Sequence, residues 1–216
     1  MVGVGVSLLV RFSKVQLAGG VSGQQFIKCP DFELVEGATV LIKGDSGSGK
    51  GLILRTAVGL YRNYKGLVER RKVLSAFVFA DGGLQTNLSV EKNILLPLIF
   101  SGLDYPEAEK MCYAALQNFD LLSVADQISG TLSKDLVKLV QYARADALKP
   151  KLVCIEEPYA EMDLRRQDMI DAWLKHFTSY RKGGLLISTS LPRKMRFLSP
   201  KLISLSKKSP NKTIIN

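Results

Sequence analysis

A strand-like run, a glycine-rich turn and a helix-like run succeed one another between Thr39 and Tyr61, and a lysine closes the turn. The turn reads Gly44-Asp45-Ser46-Gly47-Ser48-Gly49-Lys50-Gly51, follows Val40-Leu41-Ile42 and leads into Leu52. That context is the one a phosphate-binding loop requires. Glycines let the backbone curl until its N–H groups converge on phosphate oxygens, and the positive end of the helix adds to the field. Lys50 then reaches the terminal phosphates as a point charge. A plain Gly/Ser turn between strand and helix is the competing account, and the flanks and the lysine count against it. The usual pattern has Ser or Thr after the lysine, its hydroxyl on Mg2+. Gly51 has no side chain to offer there. Phosphate cradling survives this change; metal coordination is weakened.

The rest of the chain sets this loop in an α/β frame. Short apolar β-type runs recur at Thr39–Ile42, Val73–Phe79, Leu152–Ile155 and Leu185–Thr189. Near-continuous apolar strands suit a sheet covered on both faces. Helical patterns lie between them. Leu52–Tyr61 places Ile53, Ala57 and Leu60 on one face; Glu107–Phe119 and Leu136–Leu148 are also helical. Asp163–Tyr180 sets Met169, Ile170, Trp173, Leu174 and Phe177 on a core-facing stripe. Strands alternating with helices imply a largely parallel sheet. Residues 1–87 and 149–216 are read as this core, and the mostly helical residues 88–148 as a separate lobe. The apolar opening Met1–Val10 precedes its first charge, Arg11, which is the wrong order for a secretory signal. It is read as an edge strand. No apolar run approaches the roughly 20 residues that span a bilayer.

Composition removes other classes. Cys29, Cys112 and Cys154 are far apart, and His176 is the only histidine, so neither a disulfide framework nor a zinc site is expected. Cys154 reads as a buried strand residue in a reducing compartment. His176, beside Trp173 and Phe177, reads as a packing or surface residue. The net charge of +10 is compatible with nucleic acid, an anionic membrane, an acidic partner or a merely solvated surface. It is widely spread, with a local excess at Lys201, Lys207, Lys208 and Lys212.

A second acidic site follows at Leu152-Val-Cys-Ile-Glu156-Glu157-Pro158, an apolar strand ending in two carboxylates. Acids so placed orient metal-bound water and polarise an attacking water. Beyond it the pattern becomes specific. Thr131-Leu-Ser133 opens a helix bearing Ala143-Arg144-Ala145, then come Pro150, the acidic strand and Pro158-Tyr-Ala-Glu-Met-Asp163. Over nearly its whole length the chain resembles an ATP-binding-cassette (ABC) ATPase, with signature helix, Walker B strand and D-loop in order. The resemblance implies a P-loop NTPase core of mostly parallel sheet with flanking helices, an ABC-type helical lobe and a trimmed antiparallel β subdomain. It implies ATP as ligand, held by Gly44 through Leu52. Glu157 becomes the general-base candidate, either working or an inherited relic. Ser133 belongs to the signature and Asp163 to the D-loop. Phe79 to Leu98, with Gly82-Gly83-Leu84 at its centre, and Pro158-Tyr159 are most similar to lipid-trafficking ATPases of the Mla/Mce type.

Five positions depart from the family pattern, and all touch the chemistry. Gly51 replaces the metal-binding hydroxyl. Glu156 replaces an aspartate, moving the carboxylate by about 1 Å, a scale that costs on the order of 10²-fold in rate. It is at most a weak Mg2+ ligand. Ala80 stands for the Q-loop glutamine and Ser190 for the switch histidine. Leu132-Ser-Lys-Asp-Leu136 stands for Leu-Ser-Gly-Gly-Gln, putting Lys134 and Asp135 where an opposite cassette's phosphate must approach closely. Lys134 would favour that phosphate and Asp135 would oppose it; Ser133 is also read as a helix cap. An adenine-stacking aromatic is not evident near Leu17–Val21, leaving Phe12 or Phe26 as substitutes. Ile94–Phe100 either docks a permease helix or packs inside the lobe.

These readings imply a nucleotide-binding subunit on the cytoplasmic face of the membrane, with an integral-membrane permease and a homo- or heterodimeric second cassette. Binding is expected to outlast hydrolysis. The alternative is a pseudo-ATPase that regulates a competent partner cassette. A DNA-associated role rests on charge alone, and no specific nucleic acid is expected.

Overall fold

In the computed structural model, which describes residues 7–19 and 25–205, two sheets share the work of forming the core. The first is antiparallel and four-stranded. It contains β1 (Leu8–Gly19), β2 (Gln25–Lys28), β3 (Phe32–Val35) and, later in the chain, β5 (Tyr64–Arg70). The second has five parallel strands in the order β6 (Ser75–Val78), β7 (Leu152–Glu156), β8 (Gly184–Thr189), β4 (Thr39–Gly44) and β9 (Lys201–Leu205). The helices are α1 (Lys50–Ala57), α2 (Val90–Phe100), α3 (Tyr105–Asn118), α4 (Lys134–Leu148) and α5 (Leu164–Ser179).

Strand alternation explains how the parallel sheet is covered on both faces. Leu41, Val78, Val153, Ile155, Leu185 and Ile187 pack with α2, α3, α4 and α5. Their neighbours Val40, Ile42, Phe77, Leu152, Cys154 and Leu186 pack with α1 and the antiparallel sheet. Burying each such aliphatic side chain contributes roughly 1.5–3 kcal/mol. The lobe therefore has no core of its own: Ile94, Leu98 and Phe119 belong to the same cluster as the sheet residues. Ile94, Leu95 and Leu98 are thereby committed to internal packing, while Phe100 is exposed.

Three expectations change here, at the opening strand, the bounds of α1 and Leu60, while His176 lies on the surface as one of its two readings had it. The opening strand is not an edge: β1 pairs with β2, β3 and β5, and Met1–Val6 lie outside the described residues. Helix α1 starts earlier than Leu52 and stops at Ala57, because Gly59 takes a left-handed φ of 83°. Leu60 is then 60% exposed and leaves the core face assigned to it. The His176 ring stacks on Tyr180.

All three cysteines are free and buried. Burial pushes the Cys29 and Cys112 thiols up to about 12 and that of Cys154 higher still, so none is a nucleophile near neutral pH. The seam between α4 and α5 instead carries a polar anchor. The carboxylate of Asp146 accepts from Trp173 Nε1 at 2.9 Å and pairs with Arg181 Nη2 at 2.8 Å. Replacing Asp146 with alanine leaves the indole N–H and the guanidinium without their acceptor. We expect a loss of about 3 kcal/mol, measurable by urea unfolding.

Candidate functional site

The phosphate loop folds as its residues dictate. Gly47 and Gly49 have φ of 74° and 93°, conformations glycine adopts freely. Gly49 has a second constraint, since a Cβ there would lie 2.5 Å from Ile27 Cδ1. Ile27, on β2, thus closes one wall of the site, a role not foreseen from the sequence. Its only signal is its place in a short apolar strand. The Lys50 ammonium is drawn back over the loop, donating to Gly44 O at 2.5 Å and Asp45 O at 3.0 Å. It also stands 3.9 Å from Glu157 Oε1. Asp45 O accepts from Ser48 N. The buried Ser48 hydroxyl has no partner within the protein.

Strand alternation also places Glu156. Leu152 and Cys154 face the α1 side, so the next side chain on that face is Glu156. Its carboxylate lies where a side chain at position 51 would otherwise be, because a Cβ on Gly51 would sit 2.5 Å from Glu156 Oε1. Gly51 and Glu156 are one exchange: the missing side chain makes room for the longer acid. Arg55, one turn along α1, approaches the same carboxylate at 3.2 Å, and Ala80 N donates to its other oxygen at 3.3 Å.

Glu157 leaves the strand through a left-handed φ of 43°. That turn sends its carboxylate to the end of β8. There it accepts from Ser190 N at 3.0 and 3.1 Å, Ser190 Oγ at 3.3 Å and Thr189 Oγ1 at 3.2 Å. Ser190, at the switch-histidine position, is therefore a clamp on Glu157. Both hydroxyls fall on Oε2, while Oε1 accepts only the shared Ser190 N–H and keeps a lone pair for water. Together these elements line an open cavity of about 530 Å³ whose wall includes Ile27, Ser46 through Leu52, Arg55, Ala80, Glu156, Glu157, Ser188 and Ser190.

Beneath this cavity lies a polar ladder that the sequence did not reveal. Lys138, Gln141 and Arg144 project from one side of α4 onto the Phe79–Gly83 segment. Lys138 Nζ donates to Phe79 O at 2.7 Å and Glu156 O at 2.5 Å. Gln141 accepts from Phe79 N and donates to Gly82 O, and Arg144 donates to Gly83 O. Burial lowers the Lys138 amine to about 7, against the opposing pull of Glu156 and Glu157. Burial also lowers the Arg144 guanidinium. The available signal was two polar residues, Lys138 and Gln141, on the buried stripe of a helix.

The remaining assignments divide. Ser133 is the N-cap of α4 but its hydroxyl makes no capping hydrogen bond, a correction to its expected role. Asp163 caps α5 instead, accepting from Arg166 N at 2.8 Å. Asp135 pairs with Arg166, so its charge is neutralised within the chain, while neighbouring Lys134 is exposed. Phe12 is buried and stacked on Phe32, which excludes it as a base-stacking residue. Phe26 lies on the face of β2 opposite Ile27 and carries Lys65 over its ring. Val21, at the end of the expected stacking segment, lies outside the described residues.

Loop and acidic strand thus meet around one cavity, while the signature segment at Leu132 and Lys134 lines a separate one. The ABC transporter family model matches residues 27–160. The chain belongs to this family. Its fold is the α/β P-loop NTPase cassette fold, with a parallel sheet, flanking helices and an antiparallel β subdomain. Members bind ATP. The chain is 30% identical over 167 residues to the cytochrome c biogenesis ATP-binding export protein CcmA of Roseobacter denitrificans, covering 76% of this chain and 77% of that protein. It is 34% identical over 158 residues to the aliphatic sulfonates import ATP-binding protein SsuB 1 of Pseudomonas syringae pv. tomato, covering 71% of this chain but 56% of that protein. A dimeric ATP-binding cassette solved in a post-hydrolysis state with ADP and Pi superposes with a TM-score of 0.81 at 24% identity. That match covers 91% of this chain and 94% of the other. Among the described residues no helix is long and apolar enough to cross a membrane.

Proposed function

We propose that this cassette is the nucleotide-holding subunit of a membrane transporter and that it binds ATP better than it hydrolyses it. The observation that carries this is the state of the two halves of the cavity. The phosphate half is complete, with glycines at positive φ and Lys50 poised above them. In the metal and water half, Gly51 supplies no hydroxyl, Glu156 is paired with Arg55, and Glu157 is clamped by Ser190 and Thr189. Metal coordination is weakened and the general-base candidate is held aside by neighbouring donors. The chain acts on the cytoplasmic face, docked on a permease and facing a second cassette, its own copy or another.

Lipid is the proposed cargo, on the strength of Gly82-Gly83-Leu84 and Pro158-Tyr159. The relatives named above are an ATP-binding export protein of cytochrome c biogenesis and an aliphatic sulfonates import ATP-binding protein, so the lipid reading is drawn from those short stretches. A second reading, a pseudo-ATPase completing a competent partner, is favoured by one observation. Its signature carries Lys134 and a neutralised Asp135 in place of two glycines.

Turnover separates these roles from an ordinary motor. Phosphate release from Mg-ATP by the purified chain is expected near the background rate. Brisk hydrolysis that Glu157→Gln abolishes would overturn the proposal, since losing one preorganised contact commonly costs about 10²–10³ in rate. Co-purification from native membranes, with lipid analysis of the recovered permease, tests the partner and the cargo.

A further inference from the structure

Cassettes of this family typically take ATP together with Mg2+. The side chains here do not fit a divalent cation. Position 51 has no hydroxyl, position 80 has no side-chain oxygen, and the one carboxylate at the place of the metal ligand carries a guanidinium at 3.2 Å. Among the described residues no group of three His, Cys, Asp or Glu is arranged to hold a metal. A dication on Glu156 would face the fixed positive charge of Arg55 at close range, and arginine does not lose its proton to relieve the repulsion.

The same residues form a coherent alternative. Glu156 is 6% exposed, and its Oε1 has no aligned hydrogen bond, its close cation being Arg55. Without the Gly51 exchange this carboxylate could not reach its position. Arg55 is steadied by Glu156 on one side and by the Phe79 ring, 5.9 Å from its guanidinium carbon, on the other. Its Nε is buried without a partner, its side chain is 43% exposed, and it lines the same cavity as Lys50. A guanidinium so held has donors left to grip phosphate oxygens in a bidentate manner. We infer that Arg55 stands in the electrostatic place of the metal ion, so that this cassette holds nucleoside triphosphate as the metal-free anion. The inference rests on the nucleotide-holding reading and adds to it the form of the ligand.

The test is equilibrium titration of the full chain with a fluorescent ATP analogue, in excess Mg2+ and in EDTA. The wild-type dissociation constant is expected to agree within about threefold between the two conditions. Arg55→Gln is expected to weaken binding in EDTA by about tenfold, the loss of one charge-assisted contact, and Arg55→Lys to recover part of it. The combination Gly51→Ser, Glu156→Asp, Arg55→Gln should restore Mg2+ dependence. Thermal melts of each variant establish that it is folded. Binding to the wild type that weakens tenfold or more in EDTA overturns the inference and leaves nucleotide holding intact. A folded Arg55→Gln variant that binds as the wild type does in EDTA also overturns it. Failure to bind under either condition removes both readings.

Discussion

Replacing Lys138 with methionine is expected to abolish most of a rise in stability that the wild-type protein shows between pH values of about 7 and 10.5. The amine is buried, donates to Phe79 O and Glu156 O, and burial brings it down to about 7 in the folded protein. A neutral amine has two hydrogens, enough for those two carbonyls. In the unfolded chain the same group keeps its proton up to about 10.5. Between the two values the unfolded state therefore binds more protons than the folded state, and unfolding becomes harder as pH rises. The slope approaches about 1.4 kcal/mol per pH unit, and the total is on the order of 4 kcal/mol. Below about pH 7 both states are protonated and the folded protein carries the full desolvation cost. Methionine fills the stem volume without a charge but strands two carbonyls, at about 1–3 kcal/mol each. The variant should thus be clearly weaker than wild type at pH 10 and close to it, or stronger, at pH 6. Urea midpoints of both proteins across this range decide the matter: parallel profiles would show that the Lys138 amine is not the source.

The role of Lys138 also marks the boundary of what the sequence disclosed. The phosphate loop and the acidic strand are local patterns, each contained within about twenty residues of chain, and the strand–helix alternation is a succession of such patterns. The strands form as read, with the bounds of α1 shifted. The groups that decide the chemistry are joined across long separations. Arg55 meets Glu156 from another element, and Lys138, Gln141 and Arg144 reach back from α4 to Phe79–Gly83. No spacing rule announces such pairs. The departures at Gly51 and Glu156 were each visible as losses, but their mutual fit needs the geometry of a Cβ that is not there. Ser190 shows the same limit: as a residue it lacks the reach of histidine, and in the fold it holds Glu157. The opening strand misled because an apolar run at a terminus says nothing about how many neighbours it will have. β1 has three.

Lys50→Ala should weaken nucleotide binding by about 10²-fold, the combined loss of two charge-assisted contacts to phosphate. In the structure the ammonium is tied to Gly44 O and Asp45 O, so binding requires it to exchange these carbonyls for phosphate oxygens. The exchange is favourable because a phosphate carries formal charge and the carbonyls do not. It is also local: Asp45 is exposed and Gly44 only partly buried, so water can satisfy their carbonyls once the lysine is gone. The variant should therefore keep its melting temperature within a few degrees while losing affinity. The loss should fall on ATP and ADP, whose terminal phosphates Lys50 reaches, and spare AMP. With Phe12 buried and Phe26 turned from Ile27, phosphate contacts carry a larger share of the binding than in a site with a stacking ring. Inorganic tripolyphosphate should accordingly compete with ATP in the wild type and much less in Lys50→Ala. If the variant binds ATP within threefold of wild type, Lys50 serves to brace the loop, and the backbone N–H groups hold the phosphates without it.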